Sequence, residues 1–158
     1  MTEITGPASR VRDAAESFGL SVIPRIMPEK TRTAEEAAAA CGCSVGEIVK
    51  SLVFRGKATS DGILLLVSGV NRVDEAKVGA LIGQEIERPD AAFVRALTGF
   101  AIGGIPPLGH ATPLPTYIDR DLLVHDIVWA AAGTPNAVFA VDPKRLAAAI
   151  GATTIAMA

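Results

Sequence analysis

The hydrophobic pattern along this chain changes period several times, and each change marks the start of a new element. Over residues 8–19, ASRVRDAAESFG, Val11, Ala14, Ala15 and Phe18 fall on one helical stripe, and Gly19 suits a left-handed cap after it. LSVIPRIM (20–27) reads as a strand interrupted by Pro24, whose missing N–H predicts an edge position. Thr33 and Glu36 have capping-box spacing ahead of a run of four alanines, Ala37 to Ala40, which carries a second helix to Gly42. Ser44 and Glu47 repeat that spacing and predict a short helical turn. IVKSLVF (48–54) has strand composition, and GILLLVSG (62–69) is an apolar run of the buried-strand kind. The turn formers of RGKATSD between them predict a hairpin.

Two short helices follow: EAKVGALIG (75–83), capped by Asp74, and AAFVRALTG (91–99), opened by Asp90 or Pro89. Periodicity then stops. Residues 99–116, GFAIGGIPPLGHATPLPT, hold four glycines and four prolines, and a structured loop of that length is often functional. TYID (116–119), DIVWAAA (126–132) and NAVFAVD (136–142) predict three short strands, with a turn at TPN between the last two. Asp142 and Pro143 open the helix PKRLAAAIG, and TTIAMA closes the chain as a strand. Strands and helices alternate irregularly, so the expected fold is mixed α/β of the α+β kind, in one domain over 1–158.

Composition narrows the class. Hydrophobic residues make up 49% of the 158, enough for a core, but aromatics are only 4%, so packing rests on Ala, Val, Ile and Leu. No apolar run reaches the ~18 residues of a membrane span. The polar start, MTEITGPASRVRDAAE, lacks the basic head and apolar middle of a signal peptide. Cys41 and Cys43 are too close for an ordinary disulfide, which fits reduced thiols and a cytoplasmic setting. A net charge of −2 with scattered basic residues argues against a general nucleic-acid coat, while leaving room for contact with one nucleic-acid end.

Candidate chemistry is sparse. The chain has no P-loop or dinucleotide signature, and neither of its two histidines, His110 and His125, has the spacing of a metal pair, so no metal is expected. Helix-end packing suits the cysteines better than nucleophilic or zinc chemistry. Lys50 interrupts the apolar face it shares with Ile48, Leu52 and Phe54. Its ammonium must snorkel to water at an edge or line a polar cleft, which would be shared with the 99–109 loop. In GGIPPLG (103–109), Gly103 and Gly104 permit close backbone approach to a ligand, and Pro106 and Pro107 stiffen the segment after them. A tight structural turn would have the same composition. Asp119 and Asp121 fall on one side of an alternating pattern, as a carboxylate pair or as turn-capping groups.

Taken in order, EIVKSLVF, LLLVSGVNRVD, TGFAIGGIPPLG, TYIDRDLL and the helix after VDP resemble the YbaK family, a domain also inserted in or associated with bacterial prolyl-tRNA synthetases. The likeness covers roughly residues 30–150 and departs from the best-known members in the first 30 residues and in GHATPLPT. It implies a mixed sheet of six or seven strands curved around a pocket and flanked by helices. The implied activity, which needs no cofactor, is hydrolysis of the ester on mischarged tRNA, chiefly tRNA-Pro. The family's lysine falls on Lys50 and its glycine-rich loop on Gly99 to Gly109. The expected catalytic positions are therefore Lys50, Gly103 and Gly104. Ser68, Thr98, Gly99, Phe100, Ile105, Pro106, His110 and Asp119 are expected around the substrate, although the family pattern gives His110 no role. The expected partners are the acceptor end of a mischarged tRNA and an aminoacyl-tRNA synthetase. The competing expectation is a relative that binds such a tRNA or a synthetase without hydrolysing anything.

Overall fold

Strand composition at 48–54 and 62–69 produces the centre of the molecule. In this computed structural model, which describes residues 4–158, β2 (Val49–Gly56) and β3 (Gly62–Ser68) form an antiparallel hairpin running from Val49 opposite Ser68 to Arg55 opposite Gly62. All seven residues of β3 are buried, as an uninterrupted apolar run requires when both faces of a strand are covered. β5 (Thr116–Asp119) lies parallel to β3, and β8 (Thr153–Ile155) parallel to β5. The two-residue β4 (Ile86–Glu87) meets only the far end of β2, giving a five-stranded sheet in the order β4-β2-β3-β5-β8.

A second sheet holds β1 (Arg25–Ile26), β7 (Ala137–Val141) and β6 (Val128–Ala131), in the order β1-β7-β6. Only two residues of the 20–27 stretch pair, at an edge and just after Pro24, as the missing donor dictates. One parallel bridge, Ile48 to Trp129, joins the sheets. The α+β class holds, but among the described residues eight strands in two sheets replace the expected single sheet of six or seven. β4 escapes sequence reading because two residues are too few to show a period.

Among the described residues, five α-helices complete the fold: α1 (Gly6–Ser17), α2 (Ala34–Cys41), α3 (Glu75–Ile82), α4 (Ala91–Thr98) and α5 (Pro143–Ile150). The capping residues read from the sequence hold four of them: Thr33 accepts from Glu36 N–H, Asp74 from Lys77 N–H, Asp90 from Phe93 N–H, and Asp142 from Lys144 N–H. On α1, Val11 and Ala15 are fully buried as expected, but Phe18 is 46% exposed. It follows the helix as its C-cap, so the turn toward Gly19 carries its ring off the stripe. Residues 1–3, the start of the polar N-terminal stretch, lie outside the described residues. No helix among the described residues is long and apolar enough to cross a membrane.

Candidate active site

A cavity of about 460 Å3, in the range of small-molecule sites, opens where β2 runs without a strand partner on its outer side. Ile48 C=O accepts from Gly69 N–H (2.8 Å) and Gly56 N–H donates to Asp61 C=O (3.0 Å), which fixes the phase of the hairpin. Even-numbered residues of β2 therefore bond to β3, and the backbone N–H and C=O groups of Ser51 and Val53 face away from it, toward the cavity. The other walls come from the start of α2, from β6 and β7 through Trp129, Ala130 and Val138, and from Ile102, Gly103 and Ile105 of the long loop.

Lys50 lines this cavity together with Gly103 and Ile105, so three of the sequence-predicted positions meet. The lysine is half-buried, and its Nζ donates to the backbone carbonyl of Asn71. Burial pushes its pKa below the ordinary 10.5, with Arg72 and Arg88 acting the same way and Glu35 and Asp119 opposing. Arg88 also lines the cavity, with its guanidinium 5.5 Å over the Phe54 ring and its Nε 3.3 Å from Glu75. Arg32 adds a third cationic side chain to the wall.

Asp119 is completely buried and does not line the cavity, but it organises the lysine's partner. Its Oδ2 accepts from Ser68 N–H (3.0 Å) and from the Asn71 side-chain amide (2.8 Å), and its Oδ1 accepts from Asp121 N–H (2.9 Å). Asp121 accepts a second bond from the same amide at 2.8 Å. The two acids thus cap a turn and clamp Asn71, whose carbonyl receives Lys50. Ser68 is buried at the end of β3, its hydroxyl donating to Gly46 C=O at 2.8 Å. Asn71 lies in the LLLVSGVNRVD stretch, and the sequence reading gave it no role of its own.

The long loop is anchored to the core through residues that do not reach the cavity. Thr98 is buried, donates through Oγ1 to Val94 C=O (2.8 Å) and accepts there from Phe100 N–H (3.1 Å). Gly99 caps α4 with φ +80°. Phe100 packs in the core under the Arg10 guanidinium, 4.7 Å from its ring centre, and Pro106 is buried. The two glycines separate: Gly103 (φ +100°) lines the cavity, while Gly104 packs on Thr134 and donates its N–H to Ala101 C=O at 3.2 Å.

His110 turns inward rather than toward the cavity, with Nε2 2.7 Å from Pro106 C=O. Burial lowers its pKa from the ordinary 6.5, partly offset by that bond. The fold therefore holds the ring neutral, and as pH falls below about 6.5 the unfolded chain takes up the proton first. Stability should drop from that point down through the lowered folded-state value. His110→Gln should lose less stability than the wild type between about pH 7 and pH 5, measured as urea midpoints. Equal losses would show that His110 does not titrate in a buried setting.

Among the described residues, no Cys, His, Asp or Glu side chain lines the cavity. Cys43 is pushed up to about 11, first by burial and then by Cys41 and Glu47, and Cys41 is raised by burial, so neither is poised as a thiolate. The hydroxyls of Thr31, Thr33 and Ser51 have no base beside them in the wall. The site offers a cationic end, an unpaired strand edge and an apolar end, which together can hold a ligand and polarise its carbonyl.

Known proteins share this arrangement of elements. The solved structure of a "putative trans-editing enzyme for prolyl tRNA synthetase" superposes with a TM-score of 0.92 at 48% identity, covering 98% of each chain. The uncharacterized protein YwhH of Bacillus subtilis is 33% identical over 114 residues, 72% of both chains. A proline–tRNA ligase of Desulfovibrio desulfuricans is 30% identical over 112 residues, which are 70% of this chain and 19% of the ligase. The family profile described as the aminoacyl-tRNA editing domain matches residues 28–149, a span that includes β2, Lys50 and the whole glycine-rich loop, and the chain belongs to that family.

Proposed function

We propose that this chain is a trans-acting deacylase that hydrolyses the ester between a wrong amino acid and its tRNA, with tRNA-Pro as the main carrier. The observation that carries the reading is the meeting of Lys50 and Gly103 in one cavity along the unpaired edge of β2. Lys50, Arg32 and Arg88 supply positive charge for the phosphate and ribose of a tRNA terminus, although the chain as a whole carries −2. Ser68, Asp119 and Asn71 act through Lys50 by fixing the carbonyl that orients it. Thr98, Gly99, Phe100, Pro106 and His110 hold the loop that presents Gly103 and Ile105.

With no carboxylate or imidazole among the described residues of the wall, the attacking oxygen comes from water, which a hydroxyl of the tRNA terminus can hold by a hydrogen bond. When water attacks, its oxygen bonds to the ester carbon, the bond from that carbon to the ribose oxygen breaks, and the ribose oxygen takes a proton. Free amino acid and free tRNA leave. The protein contributes positioning and stabilisation of the charge that develops on the carbonyl oxygen. The likeness to a solved structure described as a putative trans-editing enzyme for prolyl tRNA synthetase supports work alongside such a synthetase, for which a cytoplasmic setting is proposed.

The test is a deacylation panel in which purified protein meets tRNA-Pro and other tRNAs charged with Ala, Cys, Ser, Thr and Pro. At least one mischarged tRNA-Pro should be cleared well above its spontaneous rate, with correctly charged Pro-tRNA-Pro spared. Binding of these tRNAs without hydrolysis of any would replace the enzyme by a non-catalytic binder.

A further inference from the structure

The outer edge of β2 is closed at both ends and open between them. At one end Ile48 bridges Trp129 of β6. At the other, Lys57 N–H donates to Glu85 C=O (2.9 Å) and Arg55 stands opposite Glu87 of β4. Continued in that register, β4 would set Pro89 opposite Val53. Proline has no N–H to give, and Asp90 then caps α4, so the chain turns away. Pro89 stays in the cavity wall, and Val53 is buried. Ser51 is therefore the open position on this edge. It is half-buried although its hydroxyl is covered, so the surface it shows belongs to its Cβ and main chain.

An aminoacyl ester brings one positive donor, the α-ammonium, and one acceptor to be polarised, the carbonyl. Among the described residues no carboxylate or imidazole lines the cavity, and the side-chain hydroxyls of its wall are engaged or covered. Thr31 Oγ1 donates to Pro135 C=O (3.0 Å), Thr33 Oγ1 accepts from Glu36 N–H (3.1 Å), and Ser51 Oγ is buried. The free main chain of β2 remains. In an antiparallel hydrogen-bonded pair, two residues about 5.5 Å apart at Cα exchange both N–H···O bonds. An aminoacyl group has the N–Cα–C=O skeleton of one residue and can take that place. We propose that it docks on β2 as a one-residue strand, its α-ammonium donating to Ser51 C=O and its ester carbonyl accepting from Ser51 N–H. This rests on the deacylase reading and names its substrate class, esters with a free α-amine. The Ser51 N–H then stands where negative charge grows as water attacks.

The test takes the aminoacyl ester cleared fastest in the deacylation panel and two counterparts with the same side chain. One carries an α-hydroxyl in place of the amine, the other hydrogen, and each rate is divided by that ester's spontaneous hydrolysis. Hydrogen should lower this enhancement about 10- to 150-fold, and the hydroxyl, a neutral donor, should recover about 3- to 12-fold. Equal enhancement on all three overturns the proposal and leaves the deacylase reading standing, whereas inactivity on every ester sinks both. A hydroxy ester no better than the hydrogen one would show the amine acting by charge without a bond to Ser51 C=O, and also overturns it. On the protein side, Ser51→Pro removes the outward N–H without touching the ladder to β3, which uses the even-numbered residues. It should lower kcat about tenfold or more, and a folded Ser51→Pro protein with wild-type rates overturns the proposal. Where that variant does not fold, the wild-type Ser51 amide resonance decides. A non-hydrolysable aminoacylamide of adenosine should move it downfield, and an unmoved Ser51 amide with the analogue bound overturns the proposal.

Discussion

Lys50→Ala should cut single-turnover hydrolysis of a responsive mischarged tRNA by about 10- to 150-fold in kcat/KM while the protein stays folded. The range converts the roughly 1.5–3 kcal/mol of a charge-assisted hydrogen bond into rate. The side chain is half-buried, with one ammonium proton given to the Asn71 carbonyl, which leaves donors for a ligand in the cavity that Lys50 lines. Burial, which pushes its pKa down, also means that the charge is incompletely hydrated and acts more strongly on a bound carbonyl or phosphate. Folding should tolerate the change, because among the described residues Lys50 makes no ion pair and the cluster on its face is held by Phe54, Leu65 and Val67. Lys50→Arg should recover little, since a planar fork cannot occupy the place of a compact ammonium against one carbonyl. A folded Lys50→Ala protein with wild-type rates would remove the lysine from the mechanism. Melting curves for each variant separate that result from unfolding.

The same strand shows how far the sequence could be read. Lys50 stood out because a charge breaks an apolar alternation, and the glycines of the loop stood out because periodicity ends there. Both signals are local. Helix caps at Thr33, Asp74, Asp90 and Asp142 were legible for the same reason, since each depends on a bond spanning two or three residues. Ser51 gave no signal, because a serine in a strand is ordinary until its main chain is found unpaired beside a cavity, and the walls of that cavity are brought in from β6, α4 and the loop. The role of Asp119 was half-read. Its capping of the next turn follows from spacing, but its grip on Asn71 joins residues 48 apart in sequence. The free edge of β2 depends on where β4 stops pairing, and a two-residue strand leaves no periodic trace. Gly103 and Gly104 read as one unit in sequence, and the structure gives them different tasks.

That division yields the second large effect: Gly104→Ala should damage both stability and activity, and more severely than Gly103→Ala. A Cβ at Gly104 would stand 2.6, 2.7 and 2.8 Å from the carbonyl carbon, Cα and N of Thr134, all backbone atoms in the turn between β6 and β7. A side chain could swing aside, but backbone in a turn cannot give without moving the turn, so overpacking here should cost about 1–3 kcal/mol. The alternative is for the loop to lift off Thr134, carrying Gly103 and Ile105 away from the cavity they line. Misplacement near 1 Å can cost about 100-fold in rate, so kcat/KM should fall about tenfold or more even in the fraction that remains folded. Gly103 presents the opposite case. Its φ of +100° disfavours any side chain, but the nearest atom to an added Cβ is Pro135 Cγ at 4.0 Å, so Gly103→Ala meets conformational strain without collision. About 1–2 kcal/mol of stability should be lost there. Thermal melting and single-turnover hydrolysis on both variants decide the matter. A Gly104→Ala protein with wild-type melting and rate would show that the seat of the loop on Thr134 does not position the site.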